Sequence, residues 1–211
     1  TTEPCLLLTR RTWSRGNPLR AVRQLTTERR VALIFDEIQC GMGRTGHLFA
    51  YERLGVTPDI LTLAKPIAAG LPMGAILATN DVASAMQPGD HGTTFGGGPF
   101  VASVALHVFD RLSDPQMLSH VREAGAWFAD QLHGIASRTQ KIRAIRGAGL
   151  MWGFDAVEPA SEIIARARDA GLLLVSAGEH TIRILPPLVI TQDELERGIR
   201  EIGLHAHRAG G

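Results

Sequence analysis

Asp59-Ile-Leu-Thr-Leu-Ala-Lys65-Pro-Ile-Ala-Ala-Gly70-Leu-Pro-Met-Gly74 reads as an apolar strand that ends on a lysine and breaks at once into a Gly/Pro/Ala loop. Such a stretch presents a primary amine at a strand's end among mostly apolar neighbours. Burial there lowers a lysine's pKa, because desolvation disfavours the ammonium form. A neutral amine is what attack on a carbonyl requires. The chain holds only two lysines, Lys65 and Lys141. Lys141 sits among Thr, Gln and Arg and reads as a solvated charge, which makes Lys65 the candidate nucleophile. The alternative for Lys65 taken alone is a strand-end lysine whose head reaches water.

Working outward, Val31-Ala-Leu-Ile-Phe35 is a short continuous apolar run, the pattern of a strand buried on both faces of a parallel sheet. Met73–Thr79 reads as a further strand. Leu19, Val22 and Leu25 recur at helical spacing and predict a helix over 19–29. Pro99–Leu112 and Pro115–Leu132 are predicted helices with proline at each start, broken at Ser113-Asp114. Helix, strand, loop and strand in alternation argue an α/β architecture.

From about Lys141 the texture changes. Strands are expected over Gly149–Asp155, Leu172–Ser176 and Thr181–Leu185. Helices are expected over Ala160–Ala170, stopped by Gly171, and over Gln192–His205. These belong to a smaller α+β domain. The expected organisation is an off-pattern segment over 1–18, a partial large domain over 19–135 and a small carboxyl-terminal domain over 136–211.

Composition sets the bounds. With 211 residues, 45% hydrophobic and 20% charged, the chain can bury a core. A net charge of +1 points to neither nucleic acid nor an acidic surface as partner. No apolar run approaches the roughly 18 residues of a membrane span. Cys5 and Cys40 stand far apart, which argues against a disulfide framework and suits a reducing, cytoplasmic setting. Residues 1–30 carry seven arginines against Glu3 and Glu28. An acid-poor start of this kind fits a transit peptide or the edge of a longer protein, and the abrupt change that follows favours the edge. The eight histidines are scattered and suggest no metal site. His205 and His207, two apart on a predicted helix, point to different faces.

Two further stretches carry chemistry. Asp36-Glu37-Ile38-Gln39-Cys40-Gly41-Met42-Gly43-Arg44-Thr45-Gly46 places two acids, an amide and three glycines at the carboxyl end of the first strand, where open α/β sheets bind ligands. A carboxylate there is suited to hold a heteroaromatic nitrogen protonated; solvated loop charges are the plain alternative. Gly89-Asp-His-Gly-Thr93-Thr94-Phe-Gly-Gly-Gly98-Pro99 sets glycines around two hydroxyls and runs into a helix. That suits an oxyanion or phosphate, or else a flexible connector.

In order, Asp36-Glu-Ile-Gln39 with Gly41-Met-Gly-Arg-Thr-Gly46, Leu63-Ala-Lys65-Pro with Gly70-Leu-Pro-Met-Gly74, and His91-Gly-Thr-Thr94-Phe-Gly-Gly97 resemble the class III, pyridoxal-phosphate-dependent aminotransferases. Arg146-Gly-Ala-Gly-Leu-Met151 and Ile182-Arg183-Ile-Leu-Pro-Pro187 are similar to that family's small domain. The resemblance covers about residues 20–208. It implies a fold-type I transferase with a truncated large domain, a mixed and mostly parallel sheet, and a small α+β domain.

The resemblance also implies roles. Lys65 would bind pyridoxal 5′-phosphate covalently and shuttle a proton. Asp36, Glu37, Ile38 and Gln39 would line the cofactor, with Asp36 on the pyridinium nitrogen and Gln39 near the phenolic oxygen. Thr94 would reach the cofactor phosphate across a homodimer interface. Thr93 and Arg183 would meet the substrate. The implied reaction moves the δ-amino group of N2-acetylornithine to 2-oxoglutarate, as in arginine biosynthesis. Ornithine, succinylornithine and 4-aminobutyrate are the alternative amines, and a truncated product without turnover is the rival reading. The family's further amino-terminal half, with most of its phosphate loop, has no counterpart here. Ala69 stands where glycine is usual, which matters only if that backbone needs a positive φ, and Gly98 stands where asparagine is usual.

Overall fold

The computed structural model describes residues 18–207; the off-pattern segment up to residue 17 and Cys5 lie outside them, as do the side chains of His205 and His207. Two compact units divide at Leu118 and Ser119.

In the first unit, helix α1 (Pro18–Glu28) leads to β1 (Ile34–Asp36), the short helix α2 (Ala50–Leu54), β2 (Ile60–Leu63), β3 (Ala75–Ala78), the single turn α3 (Asn80–Ala83) and α4 (Pro99–Ser113). The sheet order is β1-β2-β3. β1 runs parallel to β2, pairing Ile34, Phe35 and Asp36 with Ile60, Leu61 and Thr62. β3 runs antiparallel to β2. The sheet is thus evenly mixed and not mostly parallel. The connection 64–74 is a succession of turns, shorter than the dozen or more residues a parallel crossover needs. Phe35, Leu61, Leu63 and Ile67 pack with Leu19 of α1 and Ala105 of α4 in one apolar cluster.

The expected strand over Val31–Phe35 begins three residues later. Thr26 O accepts the Val31 amide, and Arg30 adopts φ 53°. This is the wrapped end of α1, in which a residue in the left-handed region lets the chain turn back on the last carbonyls. Val31 is therefore spent on stopping a helix and stays 54% exposed. The chain enters the sheet at Leu33, where Asp59 Oδ2 accepts the Leu33 amide at 2.7 Å and Leu33 O accepts the Asp59 amide at 2.8 Å. Arg23 of α1 closes on the same Oδ2 at 2.7 Å. Burial pushes the Asp59 carboxyl up, but the Leu33 amide and the Arg23 guanidinium outweigh it and hold the group below its usual value. Leu25, expected on the inner face of α1, is 46% exposed.

Helix α5 (Pro115–Ala136) begins in the first unit and lies mostly in the second. The second unit adds β4 (Ile142–Ala148), β5 (Met151–Ala156), α6 (Ala160–Asp169), β6 (Val175–Ser176), β7 (Thr181–Ile184) and α7 (Gln192–His207). Its sheet is wholly antiparallel, in the order β4-β5-β7-β6. Buried Phe154, Ile182, Phe128 and Leu132 form part of the core. β4 carries no strand signal in the sequence, because Ile142-Arg-Ala-Ile-Arg-Gly-Ala lacks a clean alternation. β6 is shorter than its expected run from Leu172, for the reason that shortened β1. With Gly171 at φ 82°, the Leu172 amide turns back onto Ala167 O and ends α6.

Candidate active site

β1 and β2 point the same way, so Asp36 and Lys65 emerge at the same, carboxyl end of the sheet. Asp36 closes β1 opposite Thr62. Its Oδ1 accepts two hydrogen bonds, from the Ile38 amide at 3.0 Å and from Thr62 Oγ1 at 3.0 Å. Among the described residues Oδ2 has no partner. Both anchors load one oxygen and leave the other to accept from a ligand. Thr62 carried a signal in the sequence: a lone hydroxyl in the run Ile-Leu-Thr-Leu, at a position the parallel register sets beside an acid.

Pleating sends the next side chain to the other face. Glu37 is 1% exposed, with Oε2 accepting the Ala50 amide at 2.7 Å and Oε1 accepting the Tyr51 amide at 2.8 Å. Those amides belong to the first turn of α2, which has no partners for them of its own. Gly41 packs beneath: a Cβ there would stand 2.9 Å from Glu37 O and 3.0 Å from Oε2. Burial pushes the Glu37 carboxyl up to about 7, against the lowering pull of the two amides. With both oxygens engaged, the buried Glu37 side chain ties the first turn of α2 to the end of β1.

Ile38 and Gln39 lie in the turn that follows, half-buried, and Gly41 N–H donates back to Glu37 O at 3.0 Å. Lys65 opens the run of turns after β2 and is exposed. The apolar burial expected around its amine is not present, since the side chain emerges beyond the last paired residue of the strand. Its Nζ meets no hydrogen-bond or ion-pair partner among the described residues. In the same loop Ala69 adopts φ 51°, the left-handed conformation that glycine takes without strain.

Thr93 and Thr94 are exposed on the segment leading to α4. Thr93 Oγ1 accepts the Gly96 amide at 3.0 Å in a local turn. The Thr94 hydroxyl has no partner among the described residues. No hydrogen bond joins either threonine to Asp36 or Lys65.

Arg183 belongs to the second unit, on β7, in register with Gly153 of β5 and Val175 of β6. Gly153 is also the partner of Arg146 on β4, so one row of the sheet carries two arginines with a glycine between them. Arg146 makes a two-pronged pair with Asp155, at 2.6 and 2.7 Å. Asp155 Oδ1 in turn accepts from Thr181 Oγ1 at 2.6 Å. The Arg146 guanidinium holds the Asp155 carboxyl below its usual value. This brace across β4, β5 and β7 was invisible in the sequence, where its members lie up to 35 residues apart.

The arrangement at the β1–β2 end offers a free amine, a carboxylate oxygen open to an N–H donor and, farther along the chain, two hydroxyls. It is a donor set suited to a charged aromatic heterocycle bearing a carbonyl. The family model for class-III aminotransferases matches residues 14–204. Acetylornithine aminotransferase 1 of Bradyrhizobium diazoefficiens is 44% identical over 182 residues, which span 86% of this chain and 45% of that one. The mitochondrial acetylornithine aminotransferase of Alnus glutinosa is 46% identical over 180 residues, 85% of this chain and 40% of the relative. Among solved structures, the acetylornithine aminotransferase of Elizabethkingia anophelis superposes with a TM-score of 0.83 at 30% identity, covering 91% of this chain and 49% of that one. The ornithine aminotransferase of Toxoplasma gondii gives 0.85 at 32%, covering 91% and 47%. The chain spans less than half the length of these relatives.

Proposed function

The chain belongs to the class-III aminotransferases, with the fold of the fold-type I enzymes, and from that premise we propose that it serves pyridoxal-phosphate-dependent transfer of an ω-amino group, from N2-acetylornithine to 2-oxoglutarate. The observation that carries the reading is the pairing of Asp36, with one carboxylate oxygen held and the other open, with Lys65 at the same end of a parallel strand pair. Relatives named for acetylornithine support that amine first; ornithine comes second, from the solved ornithine aminotransferases.

When bound, pyridoxal phosphate supplies a carbonyl and an electron sink for the carbon bearing the departing amine. Asp36 Oδ2 would accept the ring N–H, and a carboxylate there keeps that nitrogen charged. Lys65 Nζ would take the proton from the substrate carbon and deliver it on, which requires the amine in its neutral form. Gln39 would lie near the ring's phenolic oxygen, and Ile38 beside it. Thr94 would give its hydroxyl to a phosphate oxygen, in a homodimer to the partner's cofactor. Thr93 and Arg183 would meet the substrate, Arg183 through its carboxylate. A cytoplasmic setting fits the reading, and no helix among the described residues is long and apolar enough to cross a membrane.

Exposure of both Lys65 and Thr94 favours a second reading, in which the chain takes up the cofactor weakly and does not turn over. One titration separates the readings. The purified chain is titrated with pyridoxal phosphate, and the visible absorbance is followed in the wild type and in Lys65→Ala. A saturable band lost in the variant, followed by amine transfer from acetylornithine, supports the first. A band without transfer supports the second. No Lys65-dependent band at all overturns both.

A further inference from the structure

We propose that Glu37 is a positioning residue for the cofactor site, a buried clamp that holds the turn 37–41 in the form that orients Asp36. The inference rests on the cofactor reading above and gives Glu37 a role other than contact with the cofactor. Its geometry is that of a closed bracket. The carboxylate accepts the Ala50 and Tyr51 amides from the far end of the loop. The Glu37 amide continues the sheet by donating to Thr62 O at 3.0 Å, and the Glu37 carbonyl accepts from Gly41. Backbone on one side and side chain on the other thus tie β1, the turn and α2 to one residue. Inside that bracket lies the Ile38 amide, one of the two groups that fix Asp36 Oδ1. If the clamp opens, Ile38 N–H is free to swing, and Asp36 keeps only Thr62. Gly41 shows how tight the closure is, because no side chain fits between it and the carboxylate.

Glu37→Gln keeps the shape but turns one acceptor into an N–H₂ donor facing an amide N–H, so one of the two bonds is lost. Arg23→Gln is the control: it breaks the Arg23–Asp59 pair in the same unit and touches no part of the site. Both variants and the wild type are titrated with pyridoxal phosphate at a temperature where each is folded by circular dichroism. Hydrogen exchange of the segment 38–51 is measured on the cofactor-free chains.

The expected result has three parts: Glu37→Gln binds about tenfold more weakly, its absorbance maximum shifts, and its 38–51 amides exchange at least tenfold faster. Arg23→Gln should match the wild type in all three. Wild-type affinity and spectrum in Glu37→Gln overturn the positioning role, as does equal weakening in Arg23→Gln. Unchanged exchange overturns the clamp itself. A wild-type chain without a Lys65-dependent band is a different failure: it removes the cofactor reading, and the positioning role falls with it.

Discussion

Thr62 donates a 3.0 Å hydrogen bond to Oδ1 of Asp36 across the parallel pair β1–β2, directly opposite it in register. The bond turns a half-buried acid at a strand end into an oriented acceptor. Thr62→Val keeps the β-branched shape that suits a strand and removes the donor. The expected outcome is pyridoxal phosphate binding weakened about fivefold, the cost of one ordinary hydrogen bond. Denaturant stability should change by less than about 1 kcal/mol. Undiminished affinity by absorbance titration would show that Ile38 alone orients the acid.

Ala69 sits at φ 51° in the loop after Lys65. A Cβ in the left-handed region costs about 1 to 2 kcal/mol, part of which glycine gives back as greater freedom of the unfolded chain. Ala69→Gly should stabilise the chain by about 1 kcal/mol, read as a higher urea midpoint at unchanged slope. A lower midpoint would mean that the loop tolerates alanine without strain.

Glu37 gives a pH signature with a definite sign. Its carboxyl is raised from 4.5 to about 7 by burial, so the folded chain holds that proton when the unfolded chain has lost it. Below pH 4.5 the group contributes no difference. Between 4.5 and about 7 it increasingly disfavours folding, by roughly 3 kcal/mol in total, and above that the cost is constant. Wild-type stability relative to Glu37→Gln should therefore fall across this window, measured by denaturant midpoints at half-unit intervals. Parallel profiles would place the carboxyl near its ordinary value.

Asp155 has the opposite sign. The Arg146 guanidinium holds its carboxyl below 3.8, so the stabilisation is present above pH 3.8 and is lost as pH falls through the lower, folded value. Arg146→Gln should raise the midpoint of acid unfolding of the second unit, which holds Trp127 and Trp152 and is followed by tryptophan fluorescence. An unmoved midpoint would show that solvent already screens this partly exposed pair.

Gly125 on α5 lies against the hairpin backbone between β4 and β5, where an added Cβ would collide with the Gly149 carbonyl. Backbone cannot step aside as a flexible side chain does. Gly125→Ala should cost at least about 2 kcal/mol, seen as a lowered thermal midpoint. Wild-type stability there would mean that the helix and hairpin separate without penalty.

Two strands begin later than their apolar runs predict, for one physical reason. Val31 and Leu172 are apolar residues just past a helix, and an apolar run after a helix looks like the next strand. Each instead donates its amide back to a carbonyl of the helix it follows, Thr26 O and Ala167 O. An apolar residue at that position suits a helix stop as well as a strand start. Only the backbone hydrogen bond separates the two.

The chemistry-bearing order was set by the sequence alone: acid and amide after one strand, lysine after the next, paired threonines before a helix. That order survives translation into structure because strand ends and loop starts are local, and local patterns are written in consecutive residues. The family follows from the same motifs. What each side chain meets was decided by tertiary structure. Asp36 and Glu37 are neighbours of like charge, indistinguishable as letters. The pleat turns one to Thr62, 26 residues on, and the other to Ala50 and Tyr51, 13 and 14 residues on. One has an oxygen without a partner among the described residues, and the other is buried with both oxygens engaged. The Arg146–Asp155–Thr181 brace belongs to the same class of fact. It depends on partners brought together only when strands pair, and strand pairing joins residues whose separation along the chain carries no local signal.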